Sequence, residues 1–330
     1  MESEIIIRTM VRGYHVYYKF NNELRKTEEG EYEFIDILVQ LASIVYWKQN
    51  YGPIRLIANQ AHVDTLVEYG IFDEYDGIDV SMLTQMPYKE KASKYWSFSK
   101  IFVAKQLSKR YNEFCIFDTD LWIKGSNLID KGYDFHAFHK EQFNTDSDLN
   151  MYYHESNWLD QDEISKYNWN YWPLNCAILH FKNRTSELIE SWYNIASKVI
   201  ESDQRPEDDI NKSRNTVFIE QRMLPVIAKS LGISYGTIKP NVYQSWKYKE
   251  NINAFKIWDP TIDSSIESLK IHDNITHVWA SKFYYEIPQV RIRILTKLLK
   301  DLEHFADIQK KYKHLFDRAK QILELSYKEL

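Results

Sequence analysis

The chain is poor in cysteine, glycine and proline. Its 330 residues hold two cysteines, Cys115 and Cys176, each inside an apolar run, "FCIF" and "NCAIL". That pattern excludes a disulfide framework and reads as buried thiols in a reducing compartment. With Gly 9 and Pro 8, punctuation is sparse, and no repeat, low-complexity tract or flexible linker marks a boundary. No apolar run approaches the roughly 20 residues that span a bilayer. The start, "MESEIIIRTMVRGYH", opens acidic and has only a short apolar run, unlike a signal peptide. A basic excess is also missing. The net charge is −5, which argues against a general nucleic-acid binder. These absences lead us to expect a cytoplasmic protein.

Aromatic residues, by contrast, are plentiful at 15%. Core and surface tyrosine is the simpler reading; walls for sugars or bases are the sharper one, and composition does not choose a site.

The first half alternates strand and helix signals. Strands are expected at 14–20, 54–59, 78–83 and 113–118, and helices at 33–52, 62–72 and 97–111. Such alternation predicts a mostly parallel sheet with helices on both faces. A strand buried on both faces should be apolar throughout, as "FCIF" is. Further strands are expected at 133–140 and 175–182, and helices at 186–202 and 217–232. The polar, aromatic stretch between the two strands suits a loop-rich substrate region. After Pro288 two helices are expected, the first over 289–313.

The run "EFCIFDTDLWIKG" (113–125) places Asp118 and Asp120 just past an apolar strand. In open α/β sheets, ligands bind beyond the carboxyl ends of strands. If both residues are extended, their side chains leave on one face. Clustered carboxylates repel, and a divalent cation relieves the repulsion. Mg²⁺ and Mn²⁺ favour such oxygens together with substrate phosphates. The competing reading is a turn with a capping Asp. "DSD" at 146–148 shows that such triplets also arise in solvated loops.

Several blocks follow in a recognisable order: "SFSKIFVAKQLSKRYNEFCIFDTDLWI", "WPLNCAILHFKN", "FIEQRMLPVIAKSLG" and "HDNITHVWASKF". In this order the chain resembles the GT-A glycosyltransferases, nucleotide-sugar-dependent enzymes with a DxD motif. The resemblance is strongest to the retaining, glycogenin-like and galactosyltransferase-like branch and to uncharacterised bacterial relatives, over residues 14 to 285. It implies a Rossmann-like α/β domain over 1–287 and a helical C-terminal cap over 288–330. It implies Asp118, Asp120 and His277 as ligands of Mn²⁺ or Mg²⁺. It implies Asp118, Lys100 and Lys282 as contacts to a nucleoside diphosphate sugar, with UDP favoured. Glu220, Gln221 and Asn175 would face the sugar or the acceptor as catalytic residues. The reaction implied is hexosyl transfer to a hydroxyl of a glycan or lipid-linked acceptor, in bacterial surface-glycan synthesis. Some positions depart from the pattern. Asn175 precedes Cys176 and Ala177 rather than Gly, Glu220 stands where many relatives have Asp, and Ala280 replaces a Gly.

Each of these residues also has a plainer reading. His277 suits a hydrogen-bonded core histidine, with His272 as the fallback ligand. Lys100 and Lys282 suit solvated lysines. Glu220 and Gln221 suit ordinary polarity at a helix start. His136, His139 and Glu141 share a strand, where aromatic filling is favoured over a metal site. The basic C-terminal residues, Arg291 to Lys313, suit a packed cap over contact with the inner face of an anionic membrane. Two rival functions stand beside glycosyl transfer: a non-catalytic carbohydrate-binding or nucleotide-sugar-binding protein, and a metal-dependent phosphoryl-transfer enzyme.

Overall fold

The computed structural model describes residues 11–18, 31–91, 95–125, 132–143, 158–182, 184–203, 217–238, 242–244, 270–272, 274–278, 285 and 287–330. Among the described residues, eight strands form the central sheet: β1 (Gly13–Tyr17), β2 (Ile54–Ala58), β3 (Ile78–Asp79), β4 (Phe114–Phe117), β6 (Phe135–Phe143), β7 (Leu174–Phe181), β8 (Tyr235–Thr237) and β9 (Val242–Gln244). Their order is β3-β2-β1-β4-β7-β6-β8, with β9 also on β6. Neighbours run parallel except at β7, which is antiparallel to both β4 and β6. A second, three-stranded sheet joins β10 (Lys270–His272), β11 (Ile275–His277) and β5 (Leu121–Ile123). The mostly parallel sheet between helices is the architecture that the sequence led us to expect.

The helices are α1 (Glu31–Asn50), α2 (Gln60–Glu68), α3 (Ser81–Thr84), α4 (Phe98–Ser108), α5 (Gln161–Ile164), α6 (Ser186–Ser202), α7 (Met223–Ser230), α8 (Pro288–Leu302), α9 (Ala306–Lys311) and α10 (Lys313–Lys328). Among the described residues, no helix is long and apolar enough to cross a membrane. Two cores lie on the two faces of the sheet. Strand β4 feeds both: Cys115 and Phe117 join the core with α1 and the C-terminal helices, while Phe114 and Ile116 join the core with α4, α6 and α7. Alternation of Cβ directions makes this split unavoidable, and it explains why "FCIF" has no polar member. Helix α1 is buried almost all round, from Phe34 to Trp47. One side meets the sheet and α8 covers another, so no polar stripe is needed.

Two of the boundaries that differ from the expectation have a visible cause. The strand expected over 78–83 stops at Asp79. Asp79 Oδ1 accepts from the backbone N–H of Ser81 and Met82, at 2.8 and 3.0 Å, and starts α3 instead. A carboxylate that satisfies the first free N–H groups outcompetes strand extension here. The single helix expected over 289–313 breaks after Leu302. Its terminal carbonyls are claimed by side chains: Tyr46 Oη donates to Asp301 O (2.5 Å) and Gln309 Nε2 to Leu302 O (3.0 Å).

Beneath the sheet, β1 carries a fully buried histidine. His15 bonds Tyr75 Oη at 2.7 Å and Ser43 Oγ at 3.0 Å, and its ring packs edge-on to Phe117. Burial, opposing the charged form, lowers its pKa from 6.5 to about 3. The unfolded chain therefore takes up this proton before the folded one does. Stability should fall as pH drops through about 6.5 and should keep falling toward about 3, where the folded state begins to protonate. Between about pH 6.5 and about pH 4.5 the loss from this group should reach about 2–3 kcal/mol. Urea denaturation at both pH values, compared with His15→Gln, measures it. The variant should show a shallower acid loss, and equal losses would refute the assignment.

Candidate functional site

Strand β4 ends at Phe117, and the Asp118 N–H donates to Ala177 O of β7 at 2.8 Å. The chain turns and becomes extended again at Leu121, as β5. There Leu121 lies opposite His277 of β11, and Val278 N donates to Asp120 O at 2.8 Å. This pairing brings a residue from the far end of the chain to the carboxylates. His277 Nε2 lies 3.4 Å from Asp120 Oδ1. One ligand atom each from Asp118, Asp120 and His277 lies within 4.8 Å of the others. Asp120 and His277 are buried and Asp118 is partly exposed, so the cluster has an open side. Two carboxylates and an imidazole form an O,O,N donor set that suits a divalent cation.

Lys100 reaches the same place from the first turn of α4. Its Nζ lies 2.7 Å from Asp118 Oδ1 and 2.5 Å from Glu220 Oε1, and it donates to Cys176 O at 2.9 Å. Burial works against this ammonium. Asp118 and Glu220 outweigh burial and hold its pKa above the ordinary lysine range. Burial raises the Glu220 pKa, against the pull of Lys100. The Cys176 thiol is pushed well up, chiefly by burial. That makes the sulfur a poor nucleophile or metal ligand, which needs the thiolate. Asp118, Asp120 and Glu220 outnumber Lys100, so the local charge favours a cation.

Glu220 sits in a widened, π-helical turn, Phe218–Arg222, that runs into α7. Arg222 bonds the carbonyls of Trp169 and Tyr171, and Trp192 Nε1 donates to Ile219 O at 2.7 Å. These partners fix the wide turn, a form often found at functional sites. Gln221 follows with a buried Oε1 that has no hydrogen-bond partner among the described residues. Asn175 Nδ2 donates to Glu141 Oε1 at 2.8 Å, and its Oδ1 accepts from Ala177 N at 3.0 Å. Lys282, Ala280 and the "DSD" triplet lie outside the described residues, and so does nothing of the strand that holds His277.

The structure thus gathers Asp118, Asp120, His277, Lys100 and Glu220 into one cluster. Asn175 is held alongside, through its neighbour Cys176 and through Glu141. Sequence reasoning missed the ion triad of Lys100, Asp118 and Glu220, because an ammonium on α4 and a carboxylate some 120 positions later have no shared local pattern. Glu141 carried a weak signal, as an acid at the end of an apolar strand. Its bond to Asn175 had none.

No family model matches the chain, and no curated protein does. Solved structures do show likeness. Mouse xyloside xylosyltransferase 1 in its apo form is 11% identical, with 69% of this chain and 85% of that one covered and a TM-score of 0.39. The bifunctional glycosyltransferase WbbM is 16% identical, with 64% and 38% covered and a TM-score of 0.36. The galactosyltransferase LgtC, solved with donor and acceptor sugar analogues, is 11% identical, with 68% and 73% covered and a TM-score of 0.35. By their descriptions, all three of these structures are glycosyltransferases.

Proposed function

We propose that this chain is a metal-dependent glycosyltransferase that moves a hexose from a nucleoside diphosphate sugar, UDP favoured, to a hydroxyl acceptor. The observation that carries the reading is the convergence of Asp118, Asp120 and His277 within 4.8 Å at the carboxyl end of β4. Asp120 and His277 would hold Mn²⁺ or Mg²⁺, and Asp118 would share it or contact the ribose. A bound divalent cation would stabilise the charge that develops on the departing diphosphate. Lys100 fixes the Asp118 carboxylate and the Glu220 turn in one frame. Gln221, whose amide oxygen has no partner among the described residues, would contact the sugar or the acceptor, and so would Asn175 if it gave up its bonds to Glu141 and Ala177. Lys282 would add positive charge at the diphosphate. Retention of anomeric configuration, and a glycan or lipid-linked acceptor in surface-glycan synthesis, belong to the same reading.

A thermal-shift panel of nucleotide sugars with and without Mn²⁺ tests it. A ligand at 100 times its Kd should add about 2.7 kcal/mol of stability, and only when Mn²⁺ is present. The same donor should be hydrolysed slowly, because water can replace the acceptor hydroxyl. Metal-dependent binding with no turnover against any acceptor would favour a binding protein. No metal-dependent shift with any donor would overturn the reading.

A further inference from the structure

Asp301 stands at the end of α8, far from the carboxylates in sequence, yet it is tied to the strand that follows them. Its Oδ2 accepts from Trp122 Nε1 at 2.8 Å, and its Oδ1 lies 3.1 Å from Lys124 Nζ. Lys297 pairs with the same carboxylate from one turn earlier in α8. The backbone carbonyl of Asp301 also accepts from Tyr46 Oη of α1. Asp301 is 7% exposed and Trp122 is fully buried. Burial works against the charged form, but Lys297, Trp122 and Lys124 outweigh it and keep the carboxyl below its ordinary range. The result is a buried, ionised carboxylate with donors on two elements, a costly arrangement to break.

The two residues it grips are Trp122 of β5 and Lys124, the residue just past that strand. Trp122 lies opposite Thr276 of β11, and Lys124 N donates to Asn274 O at 2.7 Å. Strand β5 is only three residues long and has β11 as its strand partner. So short a strand has little hold on its own register. If β5 shifts, His277 shifts with it, because the Leu121–His277 pairing and the Val278–Asp120 bond set its distance from Asp120.

We infer that Asp301 is a positioning residue for the candidate metal centre: it clamps β5 through Trp122 and Lys124, and so holds β11 and His277 against Asp120. The clamp makes the C-terminal helices part of the site through β5. It rests on the metal reading above for its functional meaning, but the clamp itself can be measured without metal.

The test compares Asp301→Ala with Glu74→Ala. Glu74 docks the same helical cap elsewhere, by accepting from Lys311 (2.5 Å) and Tyr312 (2.6 Å), and neither of these bonds goes to β5. In metal-free protein, amide hydrogen exchange over residues 121–124 and 275–278 should accelerate at least about tenfold in Asp301→Ala and stay unchanged in Glu74→Ala. Mn²⁺ affinity, by calorimetry, should fall about tenfold in Asp301→Ala, in line with losses from outer partners of metal ligands, and not in Glu74→Ala. Asp301→Asn keeps an acceptor for Trp122 and should lose less. If Asp301→Ala does not fold, Asp301→Asn carries the comparison. Equal exchange in wild type and the Asp301 variant, or equal acceleration in both cap variants, overturns the clamp. Accelerated exchange with no Mn²⁺ binding even in wild type would leave the clamp standing and remove the metal reading instead.

Discussion

Asp120→Ala is expected to abolish Mn²⁺-dependent nucleotide binding while leaving the fold intact. Asp120 offers an atom to the three-residue group with Asp118 and His277, while the β5–β11 register is set by backbone pairing, reinforced by its carbonyl accepting from Val278 N just past β11. Removing the side chain therefore spares the β5–β11 register and deletes a first-shell oxygen. Loss of an outer partner typically lowers metal affinity by 10–100-fold, so loss of a direct ligand should lower it by at least about 100-fold. The metal-free variant should not melt below the wild type, because one of the clustered carboxylates has gone. Calorimetry with Mn²⁺ and UDP, beside a melting curve in a chelator, reads both. Unchanged affinity would remove Asp120 from the site; a collapse in melting temperature would make the residue structural.

The second large effect concerns Lys100. Lys100→Met removes the ammonium from between Asp118 and Glu220 and leaves a carboxylate buried without its cation. Breaking a buried pair from one side typically destabilises by about 3–5 kcal/mol. Glu220 can relieve part of this by taking up a proton, since burial already raises its pKa. With the folded pKa above the unfolded one, the folded state binds the proton more tightly, and protonation stabilises it. The deficit should be full at pH well above the folded value and should shrink as pH falls toward the ordinary carboxyl range. The double variant Lys100→Met with Glu220→Gln should recover much of the loss, because the buried negative charge is then gone as well. Urea denaturation at about pH 8 and about pH 5, judged against ordinary carboxyl values, separates these outcomes. A small deficit with no pH dependence would mean that water, not Lys100, satisfies Glu220.

The sequence by itself determined the sheet and the position of the carboxylates. Apolar runs such as "FCIF" and helices at clear spacing are local patterns, set by which faces must be buried. The strand end at Asp118 follows from them, and so does an Asp-Thr-Asp triplet at the sheet's carboxyl edge. The helices over 186–202 and near 98–108 were legible for the same reason. Tertiary structure decided the rest. Strands β5, β10 and β11 have three residues each, too few to show a period, and exist because they pair. That pairing, not any motif, delivers His277 to Asp120. The break after Leu302 came from Tyr46 and Gln309 reaching its carbonyls, which a helical pattern over 289–313 could not reveal. Lys100 read as a solvated lysine or a nucleotide contact. Its burial between Asp118 and Glu220 depends on α4, β4 and the π-helical turn meeting at one point. Local sequence encodes which residues face inward; charge partners and ligand sets arise from long-range packing, where separation along the chain carries no signal.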